Sequence, residues 1–316
     1  MNAQNTNSQN SQTPRAHTDH RRQWRELGFV YPVVSRRAGG LSIGVNLNTD
    51  KLCNYSCIYC QIDRRTERIS PGELSMDALR QELESVIDEA LTGQLWQEER
   101  FKDVPENLRR INDIAFSGDG EPTSLPIFPQ AVQAASQALA NKNLTGQVKI
   151  IIITNATCLQ SDQFTEALDT LNQNASEIWA KLDAGTEDYY QQINIPAGDI
   201  TLDEICENIL AVATDRPVIL QTLFMNIDGE PPCDDELQAY CDRVNVLVEF
   251  GAQIPTIQLH TIARPPASSH ARALSNDQLD KIEAFLKERI TSVEIKKYYG
   301  VDVPSIAEVN PNPGKS

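Results

Sequence analysis

Short apolar runs alternate with longer amphipathic segments along most of the chain. Six runs have the length of a strand and cover residues 41–47, 111–116, 148–153, 178–182, 218–224 and 256–262. The third run contains four consecutive isoleucines, which suits a strand that is buried on both faces. This alternation predicts parallel strands that are joined by crossover helices.

The segments between these runs carry apolar residues at helical spacing. Ser75 is the expected N-cap of a first helix, whose apolar face is formed by Leu79, Leu83, Val86, Ile87 and Ala90. We expect further helices at 128–140, 161–171, 202–213, 234–250 and 276–290. The charged stretch 94–110 is predicted to be an insertion at the surface.

Six β/α units are fewer than the eight that close a full barrel. We therefore expect an α/β fold that forms a partial (β/α)6 TIM-like barrel, with its chemistry at the carboxyl ends of the strands. The predicted division is a disordered polar tail over 1–24, a core domain with a C-terminal helical extension over 25–300, and a flexible tail over 301–316.

The expected location of the protein is the cytoplasm. No apolar run approaches the length of a membrane span, and residues 1–13 lack the hydrophobic region of a signal peptide. Seven cysteines that stay reduced fit this compartment.

Three cysteines stand within eight residues. Cys53, Cys57 and Cys60 have the spacing Cys-x3-Cys-x2-Cys. Three thiolates can hold a [4Fe-4S] cluster and leave one iron open for chemistry. The alternative is a non-catalytic zinc-binding or redox-sensing module, but structural zinc takes four ligands, and the next cysteine is Cys158. The spacing therefore favours iron.

A glycine-rich turn, Phe-Ser-Gly-Asp-Gly-Glu-Pro-Thr at 116–123, follows the second predicted strand. Gly118 and Gly120 would allow the backbone to approach a ligand, and Glu121 offers a carboxylate to a cation. The turn lacks the third glycine of a dinucleotide fingerprint. A purely structural role for Glu121, as a cap, is the alternative.

Polar side chains also occur at the later strand ends. Alternation places Lys181 and Asp183 on one face, where they are candidates for proton transfer or, alternatively, a paired Lys and Asp that closes the barrel. Asn155 and Gln221 are candidates for ligand contacts, and His260 is a candidate proton donor.

The formal net charge of −16 argues against broad binding to nucleic acid, which depends on Lys and Arg. A local basic rim is still conceivable beside the cysteines, and the alternative is a solvated loop. The rim would consist of Arg36, Arg37, Arg64, Arg65 and Arg68.

Together, the cysteine and glycine motifs resemble the radical S-adenosylmethionine (radical SAM) superfamily, over roughly residues 42–264. Its signature is Cys-x3-Cys-x-aromatic-Cys, with Tyr59 in the aromatic position, followed by a glycine-rich stretch that ends in Glu121. The resemblance implies a partial barrel of the radical SAM type and a [4Fe-4S] cluster on the three cysteines. S-adenosyl-L-methionine would bind the open iron, and its reductive cleavage would give a 5'-deoxyadenosyl radical that abstracts hydrogen from an unidentified substrate.

The resemblance also implies particular contacts and partners. The cofactor S-adenosylmethionine would meet Tyr59, Gly118, Gly120 and Glu121, to which we add Asn155 and Gln221 from the strand ends. The expected catalytic residues, Lys181, Asp183 and His260, come from the strand ends and not from the resemblance. An external electron donor of the flavodoxin or ferredoxin type is also implied.

Within the superfamily, Arg264-Pro-Pro and Lys181-Leu-Asp-Ala-Gly resemble bacterial iron–sulfur oxidoreductases related to tRNA 4-demethylwyosine synthases. An RNA base is therefore an alternative substrate. Wyosine enzymes carry further N-terminal cysteines, whereas residues 1–52 contain none, and the negative charge also disfavours RNA. Simple packing is the expected role of the remaining cysteines, and an auxiliary cluster is the alternative. These cysteines are Cys158, Cys206, Cys233 and Cys241.

Overall fold

A computed structural model describes residues 24–25, 27–35, 39–62, 64, 75–266 and 268–300. Its strands are β1 (Val30–Ser35), β2 (Gly40–Val45), β3 (Ile111–Phe116), β4 (Lys149–Thr154), β5 (Ser176–Lys181), β6 (Val218–Leu223), β7 (Asn226–Ile227), β8 (Thr256–His260), β9 (Ala271–Arg272) and β10 (Glu294–Tyr298).

Eight of these strands form one sheet in the order β1-β2-β3-β4-β5-β6-β8-β10. All neighbouring pairs from β2 to β10 are parallel, whereas β1 runs antiparallel to β2. The short strands β7 and β9 pair separately. The six predicted strands correspond to β2–β6 and β8. The predicted α/β fold with a partial (β/α)6 barrel is therefore confirmed.

The helices of the described residues are α1 (Met76–Thr92), α2 (Phe128–Asn141), α3 (Asp162–Asn172), α4 (Glu187–Ile193), α5 (Leu202–Ala213), α6 (Asp234–Glu249) and α7 (Asn276–Arg289). All except α4 were predicted, each to within one or two residues. Ser75 caps α1 as expected, because its side chain accepts the N–H of Ala78. Thr201 and Ser275 form full capping boxes at α5 and α7.

The edge strand β1 was not predicted, since Pro32 lies in its middle and proline weakens a strand pattern. The side chain of Glu82 in α1 accepts the backbone N–H groups of Gly28, Phe29 and Val30 at 2.9, 3.0 and 3.1 Å. One carboxylate therefore fixes the entry into β1.

Replacement of Glu82 by glutamine is expected to lower the free energy of unfolding by about 1.5 kcal/mol, because three N–H groups lose a charged acceptor. The melting temperature should fall by about 3 °C. Glu84→Gln, on the same helix, is the control, since Glu84 accepts from the side chains of Arg80 and Asn141 and not from the entry into β1. A melting temperature of Glu82→Gln equal to that of the control would contradict this anchoring role.

The stretch 94–110 differs from its prediction. It contains two short 3-10 helices, Leu95–Gln97 and Glu106–Leu108. Leu95, Trp96, Phe101 and Val104 are buried, so the prediction of a surface position was wrong for these four side chains. The many charged residues of this stretch obscured its apolar pattern in the sequence. Phe101 belongs to a small aromatic cluster, in which its ring meets that of Trp24 edge to face at 5.4 Å between ring centroids.

The main apolar core lies between the helices and the outer face of the sheet. The inner face carries a separate, much smaller cluster of Ala115, Ile151 and Trp179. These three side chains line a cavity inside the barrel.

Residues 1–23 and 301–316 lie outside the described residues. The division into two tails and a core therefore stays a prediction. None of the helices in the described part of the chain has the apolar stretch that a bilayer crossing requires.

Candidate active site

A cavity of about 320 Å³ lies within the barrel and reaches the carboxyl ends of the strands. Every predicted site residue except Asp183 and His260 lines it. These residues are Cys53, Cys57, Tyr59, Cys60, Gly118, Gly120, Glu121, Asn155, Lys181 and Gln221. The fold thus brings together residues that are up to 168 positions apart in the sequence, from Cys53 to Gln221.

The cysteine loop follows β2 and is held by the segment after α4. The Ser56 N–H donates to the carbonyl of Ile195 at 3.0 Å, and the Ile58 N–H donates to that of Ile193 at 2.9 Å. The hydroxyl groups of Tyr55 and Tyr190 lie 2.6 Å apart. Backbone and side-chain bonds on both sides of Cys57 therefore fix the course of the loop.

Each of the three thiols has an N–H donor, and each donor comes from a different residue. The backbone N–H of Tyr55 lies 3.4 Å from Cys53 Sγ. Asn194 Nδ2 lies 3.6 Å from Cys57 Sγ, and Arg64 Nη2 lies 3.7 Å from Cys60 Sγ. Such donors suit anionic sulfur, and hydrogen bonds to sulfur tune iron–sulfur centres.

Burial raises the pKa of the Cys53 thiol, and it raises the pKa of Cys57 to about 12, although a hydrogen bond from Asn194 opposes the shift at Cys57. A bound metal centre would deprotonate these thiols. Among the described residues, no three His, Cys, Asp or Glu side chains are grouped as ligands of a metal ion. The three thiols instead line one cavity, and as a thiolate donor set they fit a cluster of several irons.

The glycine turn packs directly on the residues that follow β2. A Cβ atom at Gly120 would lie 1.9 Å from the carbonyl oxygen of Leu52, and one at Gly118 would lie 2.4 Å from Asn46 Oδ1. Asn46 also accepts the N–H of Asp119 at 3.0 Å. The space beside both glycines is therefore filled by other parts of the chain. Glycine is needed at these positions for close packing of the chain, whereas the sequence prediction invoked the approach of a ligand.

Glu121 is almost fully buried, at 3% exposure. Its Oε1 accepts the N–H of Thr123 at 3.1 Å and the hydroxyl of Thr154 at 2.8 Å, and its Oε2 accepts the N–H of Asn155 at 2.6 Å. Burial raises the pKa of Glu121, and these hydrogen bonds oppose the rise. The structural role as a cap is therefore present, while a contact with S-adenosylmethionine stays a prediction.

Lys181 and Asp183 form an ion pair, with Nζ 3.2 Å from Oδ2. Asp183 also accepts the hydroxyl of Tyr59 at 2.5 Å and the N–H of Leu223 at 2.8 Å. Nζ of Lys181 lies 5.0 Å from the centroid of the Tyr59 ring. Lys181 lines the cavity, whereas Asp183 lies behind it and fixes both Lys181 and Tyr59. The catalytic roles of both residues stay predictions.

The other three candidates differ in their placement. Asn155 is bonded through both ends of its amide, since Nδ2 donates to Asn54 Oδ1 and Oδ1 accepts from Thr157, each at 2.7 Å. Gln221 lines the cavity, and its Nε2 lies 3.4 Å from Oε1 of Gln258. His260 ends β8 and does not line the cavity, and its Nδ1 lies 3.1 Å from the Gln258 carbonyl oxygen.

Arg64 is the described member of the predicted basic rim, and the four other arginines lie outside the described residues. It points inward, where Nη1 bonds the carbonyl oxygens of Lys51 and, at 2.9 Å, Asp119. Arg64 therefore joins the cysteine loop to the glycine turn. Arg264 lines the same cavity.

The four cysteines outside the motif are free thiols. Cys206 in α5 lies 3.8 Å from Nη1 of Arg243, and Cys241 in α6 is fully buried. Cys233 is exposed at the N-cap of α6, and Cys158 is half-buried beyond β4.

Sequence reasoning missed several residues of the site, among them Tyr31 and Asn194. Tyr31 of β1 lines the cavity, and its hydroxyl donates to the carbonyl of Ser117 at 3.1 Å. Its ring occupies the space that a side chain at Gly44 would need. Asn194 follows α4, and the sequence marks it only as an asparagine between two isoleucines.

The fold is similar to that of solved radical SAM enzymes. A radical SAM methyltransferase from Sphaerobacter thermophilus superposes with a TM-score of 0.56 at 14% identity, over 85% of this chain and 69% of that chain. TYW1 with a bound lysine-pyruvate adduct gives 0.50 at 18% identity, over 78% and 73%. SuiB of Streptococcus suis bound to S-adenosylmethionine gives 0.51 at 11% identity, over 79% and 49%. These likenesses show that the chain has the radical SAM fold.

The chain is also similar in sequence to proteins that are about one quarter identical to it. A protein named GTPase Obg from Brachyspira hyodysenteriae is 25% identical over 279 residues, which are 88% of this chain and 35% of that protein. UPF0026 protein MJ1312 from Methanocaldococcus jannaschii is 26% identical over 270 residues, or 84% and 73% of the two chains. This chain thus spans about a third of the first relative and nearly three quarters of the second. No family model matches it.

Proposed function

We propose that the protein is a radical SAM enzyme that holds a [4Fe-4S] cluster on Cys53, Cys57 and Cys60. The observation that carries this proposal is the placement of three thiols, each with its own N–H donor, on the wall of one cavity inside a radical SAM fold. When bound, the cluster would supply an electron to S-adenosylmethionine, and the resulting 5'-deoxyadenosyl radical would abstract hydrogen from a substrate.

The protein itself positions the groups around this cavity. Tyr55, Asn194 and Arg64 orient the three sulfur atoms, and Arg64 also ties the loop to the glycine turn. Glu121 is held rigid by its donors, so its negative charge has a fixed position from which to meet an ammonium group. Gly118, Gly120, Tyr59, Asn155 and Gln221 complete the proposed contacts with S-adenosylmethionine.

Lys181 is the proposed cationic residue on the substrate side of the cavity. Asp183 holds its ammonium group in place through the ion pair, which suits electrostatic positioning. The proposal includes an external reductant of the flavodoxin or ferredoxin type. The fold alone does not identify the substrate. Among the similar structures, SuiB is seen with its precursor peptide SuiA.

The test is reductive cleavage of S-adenosylmethionine. We expect protein reconstituted with iron and sulfide under anaerobic conditions, and then reduced with dithionite, to release 5'-deoxyadenosine and methionine. Chromatography with mass detection measures both products. If neither product is released while a known radical SAM enzyme is active under the same conditions, the proposal is wrong. Stoichiometric zinc in the purified protein would instead favour the non-catalytic alternative.

A further inference from the structure

We infer that Asn194 is a positioning residue whose side-chain amide raises the reduction potential of the cluster at Cys57. This inference rests on the proposed function. Asn194 directly follows α4 and is 4% exposed, so its amide is removed from competing water.

The amide of Asn194 faces three acceptors. Nδ2 lies 3.0 Å from the hydroxyl oxygen of Tyr59, 3.4 Å from Asp183 Oδ2 and 3.6 Å from Cys57 Sγ. Tyr59 donates its own proton to Asp183, so the Tyr59 oxygen can accept one amide proton. The second amide proton is then shared between Asp183 Oδ2 and the sulfur of Cys57.

The main chain holds this amide in place relative to the sulfur. The carbonyl oxygen of Asn194 accepts the N–H of Ser56 at 3.2 Å, and Ile193 accepts the N–H of Ile58 at 2.9 Å. These bonds lie on either side of Cys57 in the sequence. The contact between the amide and the sulfur therefore does not depend on the side chain alone.

The direction of the effect follows from charge. Reduction adds an electron to a cluster that thiolates already make negative, and an N–H dipole aimed at a sulfur stabilises the added charge. Cys57 is half-buried, but Asn194 and Tyr59 beside it are buried, which strengthens the interaction. Removal of the amide should therefore make the cluster harder to reduce.

Asn194→Leu tests the inference, because leucine has a similar volume and no N–H group. At a fixed ambient potential near the wild-type midpoint, we expect the ratio of reduced to oxidised cluster to fall about tenfold, or about 59 mV for a one-electron couple. A redox titration followed by electron paramagnetic resonance measures this ratio without using enzyme activity.

Two further variants make the test decisive. Gln191→Leu is the matched control, since it removes an exposed side-chain amide of α4 that bonds Glu187 and leaves the amide at Cys57 in place, and its potential should equal the wild-type value. Asn194→Ala removes the amide without adding bulk beside the sulfur. Its potential should fall as that of Asn194→Leu does.

The outcomes separate the inference from the proposed function. A wild-type potential in Asn194→Leu or Asn194→Ala with full iron content would overturn the inference alone. Loss of iron from both variants, with Gln191→Leu still loaded, would also overturn the inference, since the amide would then be needed to bind the cluster rather than to set its potential. Failure of the wild-type protein to bind iron would overturn the proposed function, and the inference with it.

Discussion

Replacement of Cys57 by alanine should abolish the iron–sulfur cluster and reduce the release of 5'-deoxyadenosine to background. The loss should exceed about a hundredfold, which is the upper range for mutation of residues that merely support a metal ligand. Cys57 supplies one of only three thiols on the cavity wall, and it lies at the centre of the bonded loop. Iron and sulfide per chain, together with product release, measure the effect.

Cys233→Ala is the matched control for this variant. Cys233 is exposed at the N-cap of α6, makes no side-chain capping bond and does not line the cavity. The control should keep the full iron content and full cleavage of S-adenosylmethionine. If Cys57→Ala retained the iron and activity of this control, the three-cysteine assignment would be wrong.

Gly120→Ala should be the most damaging glycine substitution at the site. The added Cβ would lie 1.9 Å from the carbonyl oxygen of Leu52 and 2.7 Å from the side chain of Asn48. Since the nearest atom belongs to the backbone, the loop itself must move, and overpacking of this kind costs about 3 kcal/mol of the free energy of unfolding. Leu52 precedes Cys53, so the movement should also lower the iron content.

Gly28→Ala provides the comparison for Gly120→Ala. A Cβ atom at Gly28 meets nothing closer than Glu82 Oε1 at 3.6 Å, which is an ordinary contact. Urea unfolding of the apo-proteins measures the difference in stability. Equal stability of the two variants would show that the glycine turn does not need the close packing on Leu52.

The fold could be predicted where the signal was local. The isoleucine run of β4 and the apolar face of α1 are patterns within one segment, and both elements were found in place. Helix α4 was missed because its seven residues bury only Tyr190 and Ile193, too few to show a helical period. Strand β10 was missed because two lysines interrupt its five residues.

The site, too, could be predicted only where its residues are close together in the sequence. Cys53, Cys57 and Cys60 were recognisable because all three lie within eight consecutive residues. The contact between Asn194 and Cys57 joins residues that are 137 positions apart, so only the fold reveals it. Alternation placed Lys181 and Asp183 together correctly, but it could not show that Asp183 would lie behind Tyr59 rather than on the cavity wall.

The central claim is that three cysteines hold a cubane and leave one iron open to S-adenosylmethionine. The most direct measurement is the electron paramagnetic resonance spectrum of the reduced, reconstituted protein with and without S-adenosylmethionine. We expect the signal of a reduced [4Fe-4S] cluster whose shape changes when S-adenosylmethionine is added, since the cofactor then binds the open iron. A cluster signal that S-adenosylmethionine leaves unchanged, or no cluster signal at all, would contradict the claim.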